Sequence, residues 1–262
     1  MNAITPSAPR LADLPGLWQR SLIRWPDGRS DTTTVVHWLQ GPSFYIDLRQ
    51  PAGRPDFAGV REDADLDAAR LGWLATQEGF AGRLRHDDGW FEWGREIDLQ
   101  PQAIYSDCGR LWYEDDRMVE EGRDIKYIEH WHARGEGAAQ AAALRLAADA
   151  DGRAGFLVRA GDLFMFARDR ALALPALANL AECVAAAPDH ATARALVDCE
   201  ISFGRVRPEG FAIVHSSLPW REGSLLAPCV AGDALVLRDP RGGTATGWRI
   251  LDAEGELALL GG

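Results

Sequence analysis

The chain has 262 residues, enough for two ordinary domains that each bury a core. Hydrophobic residues make up 47% and charged residues 26%, which excludes a disordered chain. The net charge is −11, with 16 basic against 23 acidic residues in 1–135 and 12 against 16 in 136–262. Neither half offers the basic stripe that a phosphate backbone requires, so nucleic acid is not an expected partner.

The first ten residues contain no apolar run of the secretory kind. The most apolar stretch, Ala171 to Ala187, is interrupted by Pro175, Asn179 and Glu182 and falls short of a bilayer span. A cytoplasmic protein without a membrane partner is the expectation. Cys108, Cys183, Cys199 and Cys229 form no CxxC pair, so buried, reduced thiols are expected rather than a zinc site.

In chain order, a first strand runs from Leu14-Pro15-Gly16 through Arg24, and Pro26-Asp27-Gly28 turns it. Thr32 to Gln40 is β-branched and aromatic, and Gly41-Pro42-Ser43 returns the chain into Phe44 to Arg49. A helix is predicted from a cap at Asp65 through Gln77, with Gly79 as its stop. Strands resume at Phe80–Arg85, Trp90–Leu99, Arg110–Glu114 and Ile125–His132, separated by Asp88-Gly89 and Asp107-Cys108-Gly109. The second half reads the same way. Strands are expected at Ala142–Ala148, Gly155–Arg159 and Leu163–Arg168, a helix at Pro175–Ala187, then strands at Val197–Val206, Phe211–Ser216, Leu235–Arg238 and Trp248–Leu251.

The two halves share spaced landmarks. From the glycine between the second and third apolar strands (Gly41, Gly161) to the next glycine-aromatic opening (Gly89, Gly210) is 48 and 49 residues. A third landmark follows 20 and 22 residues later, at Gly109 and Gly232. Self-similarity at a fixed period is the mark of a repeated unit. The expected fold is mainly β: two tandem antiparallel calycin- or lipocalin-like barrels, residues 1–135 and 136–262, each with one short helix. A meander closes most simply into an up-and-down barrel, which leaves no exposed edges. The glycine-rich stretch Ala133 to Gly137 marks the boundary.

Gly16-Leu17-Trp18 matches the Gly-x-Trp that opens the first strand of lipocalin-type barrels. Asp107-Cys108-Gly109, Glu121-Gly122 and Tyr127-Ile128-Glu129-His130-Trp131 resemble the end of the first barrel in the fungal Hri-type proteins, tandem calycin-like barrels of similar length. The resemblance implies a cytosolic protein with no assigned catalysis, and it supplies no catalytic residues.

Eight of the ten tryptophans lie in the first half. They can fill a barrel or line a cavity that takes a flat apolar ligand. Strand alternation puts Tyr45, Asp47 and Arg49 on one face, Trp90 with Glu92, and Tyr127 with Glu129 and Trp131. Pointing inward, these would set carboxylates and an arginine in an aromatic box with Trp38, and Arg49 would pair with Glu129 or Glu92. Phe44, Ile46 and Leu48 are an equally good interior face. The candidate ligand-binding residues are therefore Trp38, Tyr45, Arg49, Trp90, Glu92, Glu129 and Trp131.

His130 and His132 share a face, but a third metal ligand would have to be His37 or His86 through space, and neither metal nor cofactor is expected. Glu114-Asp115-Asp116 and Glu120-Glu121 read as a solvated hairpin. No phosphate loop, GxSxG elbow or HExxH occurs. The expectation is a non-enzymatic protein binding a small apolar or aromatic ligand, or a protein partner, mainly through the first barrel. The alternative is an isomerase, hydratase or cyclase using the carboxylates and arginine of that box. The second barrel, with nearly all-apolar strands, should be the more fully packed.

Overall fold

Short runs of β-branched and aromatic residues ended by tight turns become antiparallel strands in the computed structural model, which describes residues 7–135, 140–238 and 245–261. The first eight-stranded barrel comprises β1 (Gly16–Arg24), β3 (Val35–Gln40), β4 (Phe44–Gln50), β5 (Glu78–Asp87), β6 (Trp90–Asp98), β7 (Cys108–Glu114), β8 (Arg117–Gly122) and β9 (Ile128–Arg134). Pairing of β1 with β9 closes it, and the two-residue β2 (Ser30–Asp31) flanks β1. The second closed barrel comprises β10 (Ala141–Leu146), β11 (Gly155–Ala160), β12 (Leu163–Arg168), β13 (Glu200–Arg207), β14 (Gly210–Ser216), β15 (Leu225–Ala231), β16 (Ala234–Arg238) and β17 (Thr246–Gly255). The expected division after residue 135 adjoins residues 136–139, which lie outside the described residues.

The helices sit at the same point of each unit, after the third barrel strand. In the first half α1 (Ala68–Leu74) is capped by Asp67, whose side chain accepts from the Arg70 amide, and not by Asp65. The second half has two helices where one was expected, α2 (Leu180–Ala185) and α3 (His190–Val197), because Pro188 ends the first and Asp189 caps the second. The three bury Leu71, Leu74, Leu180, Leu196 and Val197 against one another.

Two of the barrel strands escape the sequence reading. β8 carries Glu120-Glu121, and β15 carries Pro228, both of which weaken a strand signal. The third landmark is also corrected: Gly109 lies inside β7, whereas Gly232 turns between β15 and β16. A better marker is a β-bulge. Gly82 faces Tyr45 across β4–β5 and Gly204 faces Phe164 across β12–β13, each at a register shift. A Cβ at Gly82 would lie 1.9 Å from the Gly94 carbonyl oxygen, and one at Gly204 would lie 2.1 Å from that of Ala212. Only glycine lets the backbones approach so closely.

Alternation along β4 sends Tyr45, Asp47 and Arg49 into the barrel. Phe44, Ile46 and Leu48 face instead a seam against the outer face of the second barrel, where they meet Phe156, Val158, Met165 and Ile201. The apolar strands of the second half are likewise divided. Leu157, Phe164 and Phe166 fill the second barrel with Phe211, Leu235 and Trp248, while their neighbours form the seam. Polar contacts close its edge: Glu254 accepts from the Ser43 amide at 2.8 Å and from Arg83 at 2.9 Å, and Arg170 donates to the Asp98 and Leu99 carbonyls at 2.9 Å.

His37 is buried in the seam, stacked on Phe203 with ring centres 4.4 Å apart and on His215 at 5.1 Å. Its Nδ1 has no hydrogen-bond partner among the described residues. Burial and the neighbouring imidazole push its pKa down to about 4 from the ordinary 6.5. The folded state thus disfavours the charged ring, so its stabilisation is complete above pH 6.5 and is lost as pH falls towards 4. A shift of this size corresponds to roughly 3 kcal/mol. Urea unfolding between pH 7 and 4 should show that loss, and His37→Phe should flatten the slope; an unchanged slope would contradict the assignment.

Candidate functional site

Four tryptophans pack together inside the first barrel. Trp38 stacks on Trp18 at 6.0 Å and meets Trp93 and Trp131 edge-on at 5.7 and 5.3 Å. Trp38 Nε1 donates to Gln40 at 3.2 Å, Trp18 Nε1 to the Leu14 carbonyl at 2.8 Å, and Trp131 Nε1 to Glu120 at 3.0 Å. Each ring is almost fully buried, and the N–H of Trp18, Trp38 and Trp131 is satisfied, as a large amphipathic side chain requires in a core. Trp38, Trp131 and Tyr45 therefore act as packing.

A charged cluster lies beside them, with Asp47 across the strands from Trp38 and Arg20 across from Trp131. Arg49 bonds Asp47 at 2.9 Å and lies 3.7 Å from Glu129, which also takes Arg20 at 2.5 Å. Asp47 and Glu129 are only 2% exposed, and pairing with arginine makes such burial tolerable. Burial pushes the Asp47 carboxyl above its usual range although Arg49 opposes it. Arg95 bonds Asp107 at 2.6 Å and Asp98 at 3.0 Å, and its guanidinium covers the Phe80 ring at 3.6 Å.

Trp90 and Glu92 correct the expectation of an inward pair. Phe91 and Trp93 take the inner face of β6, so alternation turns Trp90 and Glu92 outward. Trp90 lies beneath Arg110, whose guanidinium is 4.3 Å from the ring centre. Glu92 is not among the partners of Arg49, which are Asp47, Glu78 and Glu129. His130 and His132 also face outward, with His132 Nε2 2.9 Å from Ser21 Oγ, while His37 lies in the seam and His86 stacks on Phe91. Among the described residues no three His, Cys, Asp or Glu side chains are grouped to hold a metal ion.

Glu120 was read as part of a solvated hairpin and is instead 3% exposed inside the barrel. Its carboxyl lies 2.7 Å from the Tyr127 hydroxyl, which is 3.4 Å from Asp107. Burial, reinforced by Glu129 and Asp107, raises its pKa well above the usual range, and the same burial raises Tyr127. The signal was available: Met118 and Glu120 alternate in step with Trp131 and Glu129 on the paired strand.

A cleft of about 750 Å³ opens where β6 and β7 part, since they pair only through Phe91–Gly109 and Glu92–Cys108. Arg49, Arg95, Asp107, Tyr127 and Glu129 form its polar base, and Glu92 stands on its outer flank. Its rim is apolar and unusually bare: Ile104 is 95% exposed, Tyr105 58%, Ile125 53% and Leu172 40%. Of the seven sequence-based candidates, Arg49, Glu92 and Glu129 line this cleft; Trp38, Tyr45, Trp90 and Trp131 do not.

No family model matches the chain, and no curated protein matches it in sequence. Among solved structures it is similar to an uncharacterized protein, YLR301w, from Saccharomyces cerevisiae, with a TM-score of 0.50 and 11% identity over 92% of this chain and 100% of that one. The likeness is one of fold. It extends over both barrels.

The buried carboxyls lead to opposite mutational outcomes. Burial raises the Glu120 carboxyl well above its unfolded range, so its contribution to stability falls as pH rises past that unfolded range. Glu120→Gln should therefore leave stability unchanged or raise it at pH 8. Glu129→Gln removes the carboxylate that Arg20 and Arg49 share and should cost about 3 kcal/mol. Urea unfolding of both variants tests this, and equal losses would contradict it.

Proposed function

We propose that the protein is a non-enzymatic binder of a small apolar or aromatic ligand, which it takes in the cleft between β6 and β7 rather than inside the first barrel. The observation that carries this reading is the bare apolar rim of Ile104, Tyr105, Ile125 and Leu172 above a polar base. Concave sites with apolar walls and a few placed polar groups are the usual form of small-molecule sites, and the volume lies within their range. The filled tryptophan core argues against an interior site.

A protein partner inserting an apolar side chain would meet the same rim, and it is the second candidate occupant. An isomerase, hydratase or cyclase is less well supported. Glu120, a buried carboxyl raised well above its usual range, bonds Tyr127 and does not line the cleft, while Glu129, Asp98 and Asp107 are bound to arginines. We also assign the chain to the Hri-type tandem calycin-like proteins, on the residues Asp107 to Trp131 and the paired barrels, and place it in the cytoplasm. No helix among the described residues is long and apolar enough to cross a membrane.

Titration with a panel of apolar and aromatic compounds should shift the indole resonance of Trp93, which lines the cleft. Ile104→Asp should weaken binding at least tenfold with an unchanged melting temperature, because the side chain is exposed. Trp131→Ala should instead lose about 3–5 kcal/mol of stability as a core truncation. Binding unaffected by Ile104→Asp, or no compound bound, would overturn the cleft as the site.

A further inference from the structure

The second barrel parts at the same place as the first. The ladder of β14 and β15, its fifth and sixth strands, has the two pairs Phe211–Leu226 and Ala212–Leu225, as that of β6 and β7 has two, and Ile213 then bonds the turn at Gly223 and Ser224. A cleft of about 290 Å³ opens at the barrel mouth, between the turn that joins these two strands and the ends of β12, β13, β15, β16 and β17. The third strand of each barrel also ends on an inward arginine, Arg49 on β4 and Arg168 on β12, and each arginine lines its cleft. The repeat has therefore built two clefts, and the second has chemistry of its own.

Its walls are Phe166, Leu218, Trp220, Leu226, Leu237 and Trp248. Its charged lining is Arg168, Arg221 and Arg238 with Asp198 and Glu200, an excess of arginine in a chain of net charge −11. The first cleft has the opposite balance: Glu92, Glu96, Asp98, Asp107, Glu129 and Asp169 against Arg49, Arg95 and Arg170. Arg168 is anchored by Asp198 at 2.8 Å, and a fourth arginine, Arg153, shares that carboxylate at 2.9 Å. Glu200 is 4% exposed and held by Ser202 at 2.9 Å and Arg221 Nε at 3.0 Å. That is the one side-chain hydrogen bond Arg221 donates among the described residues, and among them its Nη edge has no partner. A guanidinium edge suits a carboxylate, which it can hold through two parallel bonds.

We propose that this second cleft binds small carboxylates bearing an aromatic or branched apolar group, with Arg221 holding the carboxylate and Trp220, Trp248 and Phe166 enclosing the body. At about 30 Å³ per displaced water the volume suits a ligand of about ten non-hydrogen atoms. The site is independent of the first cleft, and its occupant is distinguished by charge.

Phenylacetate, phenylacetamide and phenethylamine share a body and differ in the head group. Titrated into the full chain carrying 15N-labelled tryptophan, phenylacetate should shift the indole resonances of Trp220 and Trp248 and leave Trp93 in place. Calorimetry should show the amide and the amine at least tenfold weaker. Arg221→Gln should weaken phenylacetate at least tenfold, and Arg221→Lys, which keeps the charge and loses the planar fork, should lie between. Should Arg221→Gln fail to fold, Arg221→Lys and the three-ligand comparison still decide. Equal affinity for all three compounds, shifts confined to Trp93, indifference to Arg221 substitution, or no binding of phenylacetate at millimolar concentration would each overturn the proposal.

Discussion

The strand Phe44–Gln50 has no solvent face, and the architecture depends on that constraint. Its odd positions, Tyr45, Asp47 and Arg49, belong to the first barrel; its even positions, Phe44, Ile46 and Leu48, belong to the seam with the second. A strand with period-two side chains can be buried on both faces only if something covers each. Here the second barrel covers the outer face. Phe44 and Phe156 meet edge-to-face across the seam at 5.4 Å, and Arg83 covers Phe44 with its guanidinium 4.2 Å from the ring centre. A one-residue slip would carry Asp47 and Arg49 into an apolar interface and Ile46 into the ion cluster, so the seam and the cluster hold the register together.

Equivalent strands then show how the two copies diverged. Tyr45, Asp47 and Arg49 of β4 correspond to Phe164, Phe166 and Arg168 of β12. Replacing an inward aspartate by phenylalanine converts a charged barrel base into an apolar one, and the arginine is kept at the mouth. The first barrel consequently holds tryptophans and ion pairs side by side, whereas the second is filled by Leu157, Phe164, Phe166 and Trp248. The parting of the fifth and sixth strands is retained in both. Side chains that face each cleft differ in charge, and specificity follows from those side chains rather than from the barrel.

The architecture was legible because it rests on local signals. Turn residues and alternating strands marked most elements, and the landmarks Gly41 and Gly161, then Gly89 and Gly210, fall at equivalent hairpins. Direction was not legible. Trp90-Phe91-Glu92-Trp93 offers an aromatic residue to either face, and Phe44 to Arg49 offers two buriable faces, so only the packing of the second barrel decides between them. Glu120 escaped because two adjacent glutamates resemble a solvated turn, although only Glu121 faces water. The cleft depends on where two strands separate, a tertiary property that leaves no mark in either strand.

The central claim is that the doubly buried strand joins both barrels into one cooperative unit. Urea unfolding of the full chain labelled with 5-fluorotryptophan, followed by 19F resonances of Trp131 in the first barrel and Trp248 in the second, tests it most directly. A shared seam predicts coincident transitions with one midpoint. Two separated transitions, one barrel melting while the other persists, would contradict it.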